Sequence, residues 1–187
     1  GTSHNLGQHF TKMFDIKFLD RDGKHKYAWT SSWATTTRLI GAMVMVHSDN
    51  RGLVVPPRIA PIQVVIVPVA ANKAGVIEKA QELNDRLKSQ FKVELDDDTS
   101  KTPGYKFNEW EMKGVPVRIE IGPKDIEKNQ VTIFRRDTCE KSTLSMDNLE
   151  NDLKDLLENI QSSLFERASQ FRDEKTWTVN SYDELKE

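Results

Sequence analysis

The chain has 187 residues, 37% of them hydrophobic, with 27 basic and 29 acidic side chains and a net charge of −2. That is enough apolar material for a real core, and the charge balance excludes a generic polyanion binder held by one basic field, so any nucleic-acid contact must be local. A single cysteine, Cys139, excludes an internal disulfide or a cysteine-rich zinc site, and no apolar run reaches the roughly 18–20 residues of a membrane helix. The expectation is a cytoplasmic protein with no membrane partner and no metal site.

In chain order, Leu6, Phe10, Met13 and Phe14 recur at near-helical spacing in residues 1–18, which predicts an amphipathic helix. Asp20-Arg21-Asp22-Gly23-Lys24 predicts a hairpin tip between strands at Ile16–Leu19 and Lys26–Thr30, because Asp bonds nearby backbone and Gly supplies positive φ. Thr35–Val46 predicts a buried helix with Leu39, Ile40, Met43 and Val46 inward and Arg38 in its first turns. Pro56 and Pro57 then force extended backbone, and the β-branched run Ile62–Val67 between Pro61 and Pro68 predicts a buried strand that opens a fresh α/β domain.

From Asn72 to Phe91, apolar residues at spacings of three and four predict an amphipathic helix covering a sheet, the first half of a βα unit. Val93–Leu95 predicts a short strand closed by the acidic run Asp96-Asp97-Asp98, expected to be solvated. Thr102-Pro103 starts a helix over Phe107–Met112, ended by Gly114. Val115–Ile121 then alternates, so Arg118 and Glu120 share one face while Val117, Ile119 and Ile121 take the other. Strands at Val131–Phe134 and Ser142–Leu144 flank the turn Asp137–Glu140. Ser145-Met146-Asp147 is expected to cap a long helix whose apolar stripe runs from Leu149 to Phe171. Trp177–Val179 and Ser181–Leu185 predict the opening strand and helix of a further unit. With the abrupt start at residues 1–18, this leads to the expectation of a piece of a longer protein, truncated at both ends.

On sequence alone, Arg38 on an otherwise apolar helix reads as an arginine that snorkels to a surface or pairs a carboxylate. Ser32 and Trp33 read as part of a strand whose aromatic fills a core, and His4 reads as a structural histidine. Phe107, Trp110, Glu111, Lys113, Arg118, Lys124 and Lys141 either make a solvated charged sheet face with Trp110 in the core, or hold splayed single-stranded bases by stacking and edge contacts. The chain carries no Walker loop, nucleophile elbow, HExxH pattern or dinucleotide fingerprint, and Cys139 reads as a bystander thiol.

The runs GTSHNLGQHFTKMFDIKF, SSWATTTRLIGAMVMVHSDNRGLVVPPRIAPIQVVIVPV, PGYKFNEWEMKGVPVRIEIGPKD and FRRDTCEK, which cover nearly the whole chain in order, strongly resemble the prolyl-tRNA synthetase family of class II aminoacyl-tRNA synthetases. The likeness is to the eukaryote- and archaeal-type form more than to the longer bacterial one. It implies three parts. Residues 1–60 would be the C-terminal part of a class II catalytic domain, its last antiparallel strands and motif-3 helix. Residues 61–165 would be an anticodon-binding domain with a mixed five-stranded sheet and packed helices, and 166–187 the long-helix end and the start of a C-terminal domain.

The resemblance further implies that Arg38 is the motif-3 arginine on the ATP phosphates, with Thr2 also at the ATP site. His4, Ser32 and Trp33 would line the proline pocket, and Glu111, Arg118, Lys124 and Lys141 would read the guanines of the proline anticodon. Substrates would be L-proline, tRNA(Pro) and ATP, with Mg2+ in the complete enzyme, itself a homodimer; this chain alone would be inactive. Ala34 and Ser48 stand where the family commonly has glycine. The alternative is a non-catalytic RNA-binding or interaction module on the same anticodon-binding-domain fold.

Overall fold

A computed structural model describes residues 1–186, which divide into two compact units between Ala42 and Met43. In the first unit, β1 (Thr2–Gly7) pairs antiparallel with β4 (Thr30–Ala34), and β2 (Lys17–Leu19) pairs with β3 (His25–Tyr27). The expected hairpin is present, with Gly23 N donating to Asp20 O at 2.9 Å in its tip. The single helix expected over residues 1–18 is instead strand β1 followed by the short α1 (His9–Met13). Pairing with β4 captures Thr2–Gly7, and Gly7 at φ 57° turns the chain out of the strand before a helix can start. Thr11 fixes α1 by donating from Oγ1 to Ala28 O at 2.7 Å.

Helix α2 (Arg38–His47) carries the chain across the unit boundary. It begins at Arg38 rather than Thr35, and the expectation of a buried helix fails: none of its residues is buried, and Leu39 and Ile40 are 51% and 63% exposed. The spacing was helical, but periodicity identifies an apolar side without identifying what covers it.

The second unit is built on β5 (Val64–Pro68), α3 (Val76–Leu87), β6 (Val93–Leu95), α4 (Pro103–Lys113), β7 (Val117–Ile121), α5 (Pro123–Glu127), β8 (Gln130–Arg135), β9 (Lys141–Ser145) and α6 (Leu149–Glu174). The sheet order is β6-β5-β7-β8-β9, with β5 parallel to both β6 and β7 and the last two strands antiparallel, so the expected five-stranded mixed sheet is found. Strand alternation gives it two distinct faces. One face carries Val64, Ile66, Val117, Ile119, Ile121, Val131 and Ile133. It is closed by Ala80, Leu83 and Leu87 of α3 and by Leu149, Leu153, Leu157, Ile160 and Leu164 of α6. Each Val, Ile or Leu side chain among them contributes about 1.5–3 kcal/mol on burial. On the other face Val65 and Val67 pack with Trp110, Val115 and Phe107, so α4 is its cover.

Helix α5 follows β7 directly at Gly122-Pro123, a helix that no periodicity in the sequence announces. Proline fits a helix's first position, and Asp125 Oδ2 returns to accept from Gly122 N at 2.9 Å. Helix α6 starts at Leu149 after Asn148, with no side-chain cap, so Ser145-Met146-Asp147 precede the helix rather than cap it. It runs unbroken through residues 165 and 166. Trp177–Val179 pair with no strand among the described residues, and only a short 3-10 turn, Glu184–Lys186, follows. A β-prone tripeptide without a ladder to join stays irregular.

The connector after α2 belongs to the second unit well before residue 61. Val54 joins the sheet core, while Leu53 N and Val55 N donate to Met112 O and Gly114 O at 3.1 and 3.2 Å. Gly52 and Gly114 make this approach possible. A Cβ on Gly52 would fall 2.5 Å from Met112 Cα, and one on Gly114 would fall 2.6 Å from Leu53 backbone.

Candidate functional site

The α4-covered face of the sheet places charge inside the molecule. Register sets Val65, Arg118, Phe134 and Lys141 side by side across β5, β7, β8 and β9, and Val67, Glu120 and Thr132 in the next row. Helix α4 lies over them because its sequence fixes both its ends. Thr102 caps the start through Oγ1, Pro103 takes the first position, and Gly114 ends it in the left-handed conformation. Two side chains also tie it to the end of β6: Trp110 Nε1 donates to Asp96 Oδ2 at 2.7 Å, and the buried Lys106 Nζ reaches Asp96 O at 2.7 Å and Oδ1 at 2.9 Å. Asp96 is therefore an anchor, not part of a solvated acidic run.

Arg118 is the centre of the cluster and only 3% exposed. Its guanidinium lies between the rings of Phe107 and Phe134, each 4.1 Å from Cζ. Nε and NH2 donate to Glu120 Oε1 at 3.1 and 2.9 Å, and NH1 donates to Glu111 Oε1 at 3.2 Å and to Phe107 O at 3.4 Å. Glu120 is shared: its Oε2 accepts from the half-exposed Lys141 Nζ at 2.8 Å. Lys141 also lies 5.4 Å from the Phe107 ring. Two cations and two carboxylates thus balance in one aromatic-walled cluster. Such a set can offer carboxylate acceptors and the Lys141 ammonium donor to a base edge carrying both kinds of partner, with Arg118 ordering the carboxylates.

The face is thus neither a solvated charged surface nor an apolar core. Glu111, Arg118 and Lys141 come together as the sequence reading grouped them. Lys124, exposed on α5, makes no ion pair among the described residues and is not part of the network.

Around Glu111 stand residues that the sequence reading passed over. Arg136, 1% exposed, donates from Nε to Glu111 O at 2.9 Å, from NH1 to Asp49 Oδ2 at 2.8 Å and from NH2 to Asp49 Oδ1 at 2.6 Å. Those bonds hold the Asp49 carboxyl well below the usual carboxylate range. On the other side, Arg51 NH1 lies 3.6 Å from Glu111 Oε2. The available signals were the doubled Arg135-Arg136 before a turn and the Asp49-Asn50-Arg51-Gly52 turn, both of which read as connecting sequence.

In the first unit, the β1–β4 register pairs Thr2 with Ala34, Ser3 with Trp33 and His4 with Ser32. Directly paired residues share a face, so Thr2, His4 and Ser32 line one side of the ribbon and Trp33 projects from the other. Arg38 is the first residue of α2, is exposed, and makes no ion pair among the described residues. No three His, Cys, Asp or Glu side chains converge as a metal site among the described residues. Nor is any described helix long and apolar enough to cross a membrane.

The family described as "Anticodon binding domain" matches residues 63–156, a span that begins just before β5 and ends within α6. The chain is 61% identical over 187 residues to "Proline--tRNA ligase" of Alkaliphilus oremlandii, covering 100% of this chain and 39% of the relative. It is 57% identical over 186 residues to "Proline--tRNA ligase 2" of Bacillus thuringiensis, with the same coverages, and 55% identical over 187 residues to "Proline--tRNA ligase" of Natranaerobius thermophilus, covering 99% of this chain and 39% of the relative. The chain therefore spans about two fifths of the length of the relatives it matches.

Proposed function

The chain belongs to the anticodon-binding-domain family, and on that premise, together with its full-length likeness to proline–tRNA ligases, we propose that it is a working part of such a ligase. In that reaction the carboxylate of L-proline attacks the α-phosphorus of ATP, giving prolyl-adenylate with loss of pyrophosphate, and a terminal ribose hydroxyl of tRNA(Pro) then takes the prolyl group with loss of AMP. The protein's share is positioning and charge neutralisation, which needs no serine or cysteine nucleophile. Residues 63–156 bind the anticodon loop. The first unit supplies Arg38 for the ATP phosphates, Thr2 beside it, and His4 and Ser32 for the proline pocket. The placement of Thr2, His4 and Ser32 on one side of the ribbon supports that assignment, whereas Trp33 projects from the opposite side and is not assigned to that pocket. No group of described residues fits Mg2+, so no step is assigned to it. Homodimerisation and a cytoplasmic location belong to the same reading.

The observation that carries the proposal is the Glu111–Arg118–Glu120–Lys141 cluster. A charge-balanced, aromatic-walled set of acceptors and donors matches guanine, which carries acceptors at O6 and N7 on one edge and imino and amino donors beside O6 on another. Glu111 and Lys141 face the bases from the rim, Arg118 orders both carboxylates from beneath, and Lys124 contacts RNA from α5. Titrating the 187-residue chain with an RNA hairpin bearing the proline anticodon, and with one whose two guanines are replaced by adenine, tests this. Tighter binding of the first hairpin is expected, and Lys141→Ala should shrink the difference. Equal affinity of the wild-type chain for both hairpins overturns the reading and favours an interaction module. The chain by itself is expected to give no proline-dependent ATP–pyrophosphate exchange.

A further inference from the structure

Three arginines surround Glu111, and they differ in what their donors already do. Arg118 and Arg136 are 3% and 1% exposed, and their guanidinium groups are engaged by Glu111, Glu120, Asp49 and backbone carbonyls. The Arg51 side chain is 60% exposed. Its closest partner is Glu111 Oε2 at 3.6 Å, an ion-pair distance too long for a hydrogen bond.

Its mounting is nonetheless rigid. Asp49 Oδ1 accepts from Arg51 N at 2.8 Å, and Asp49 and Gly52 exchange backbone bonds at 3.1 and 3.2 Å. The same Asp49 carboxylate is gripped at both oxygens by Arg136, whose Nε holds the Glu111 carbonyl. Gly52 closes the turn against Met112 at a distance that excludes any side chain. The turn and the last turn of α4 thus form one clamped body, and an open groove beside it is lined by Arg51, Tyr105, Asn108, Glu109, Glu111 and Met112, with the Glu109 carboxylate neutralised by Lys101 and Lys113 at 3.0 and 2.9 Å. A guanidinium whose backbone is fixed and whose donors are uncommitted is prepared for an acceptor from outside the chain, because less ordering entropy is lost on binding. The exposed Tyr105 ring and the Asn108 amide supply a stacking surface and an edge contact in the same groove.

We propose that Arg51 is a further RNA-contacting residue, and that the Arg51–Tyr105–Asn108 groove takes the nucleotide adjoining those read at Glu111. This rests on the anticodon-reading function argued above. Arg136 and Asp49 act as positioning residues that set the Arg51 turn and the end of α4 at a fixed separation.

The test titrates the 187-residue chain, Arg51→Ala and Arg58→Ala with the proline anticodon hairpin and its guanine-replaced counterpart at two salt concentrations. Arg58 is a comparably exposed arginine of the same unit, its side chain 69% exposed, that pairs with Glu158 of α6 instead. Arg51→Ala should weaken binding of the proline hairpin by roughly tenfold, the loss expected of one charge-assisted contact, whereas Arg58→Ala should leave it unchanged. A fall of about one in the salt slope identifies a phosphate contact, and a changed preference between hairpins identifies a base contact. Arg51→Ala binding like wild type, or no more weakly than Arg58→Ala, overturns the inference while leaving the guanine preference standing. Loss of that preference in the wild-type chain overturns the anticodon reading and this inference with it. Because Arg51 is exposed, its substitution should not shift the thermal midpoint, so lost binding is not lost fold.

Discussion

On one face of β7, Val117, Ile119 and Ile121 meet the aliphatic side chains of α3 and α6; on the other, Arg118 and Glu120 lie beneath α4 between Phe107 and Phe134. All five residues are buried. The first face is closed by area removed from water, which any shape-matched aliphatic set can supply. The second requires that every desolvated charge find a partner. Such a cluster is weak evidence for stability, since packed apolar residues often replace buried ion pairs at no loss. Its presence opposite an ordinary core points to a use for the charges other than holding the fold.

The largest effect should come from breaking the charged face on one side only. Arg118→Ala leaves Glu120 and Glu111 desolvated without their shared cation and should cost about 3–5 kcal/mol in urea unfolding of the chain. The double change Arg118→Met with Glu120→Leu removes the charges together and should recover most of that loss while abolishing the guanine preference. If the double variant is as unstable as the single one, the charges hold the fold and the contrast between the faces disappears.

The apolar face should respond by cavity formation alone. Leu153→Ala in the fully buried stripe of α6 is expected to cost about 2–5 kcal/mol by the same measurement, with RNA preference intact in the folded protein. A change in preference at native-like conditions would show that the two faces are coupled through β7. Between these faces and the connector stands Gly114, where φ is 73° and an added Cβ would press on Leu53 backbone. Gly114→Ala should cost about 1–3 kcal/mol for the strained backbone alone, read as a lowered urea midpoint.

The alternation of Val115–Ile121 gave the two faces of β7 directly, and the helix caps at Thr102-Pro103 and Gly114 located α4, because these are local chemistry repeated over several residues. Residue types alone grouped Glu111, Arg118 and Lys141 within a set of seven aromatic and charged side chains, and the family resemblance narrowed that set to these three with Lys124. What stayed hidden were properties of placement. Arg118 reads the same whether solvated or buried, and only the helix packed over it decides. Arg136 and Asp49 lie far apart in sequence, so nothing local announces their pair. The exposed side of α2 and the irregular Trp177–Val179 show the same limit: spacing and propensity propose an element, and tertiary contacts decide its surroundings.

The smallest effect separates the two faces by pH. Asp49 titrates below its ordinary value of 3.8, chiefly because Arg136 donates to it and despite partial burial. A carboxyl depressed in the folded state contributes stability that is present above the unfolded pKa and is lost as pH falls through the folded one. The difference in thermal midpoint between wild type and Asp49→Asn should therefore be full at about pH 5 and shrink steadily towards pH 2. The amount is modest, since the Asp49 side chain is 43% exposed and solvent screens the pair. His47 moves in the same direction, pushed below 6.5 first by burial and then by Arg167. It costs stability as pH drops below 6.5, but it does so in both proteins and cancels in the difference. Leu153→Ala should show a midpoint deficit that does not close over the same range, because no proton is linked to an aliphatic cavity. A constant deficit for Asp49→Asn would mean that Arg136 is held by its backbone and carbonyl partners alone, and the clamp beside Glu111 would lose its ionic half.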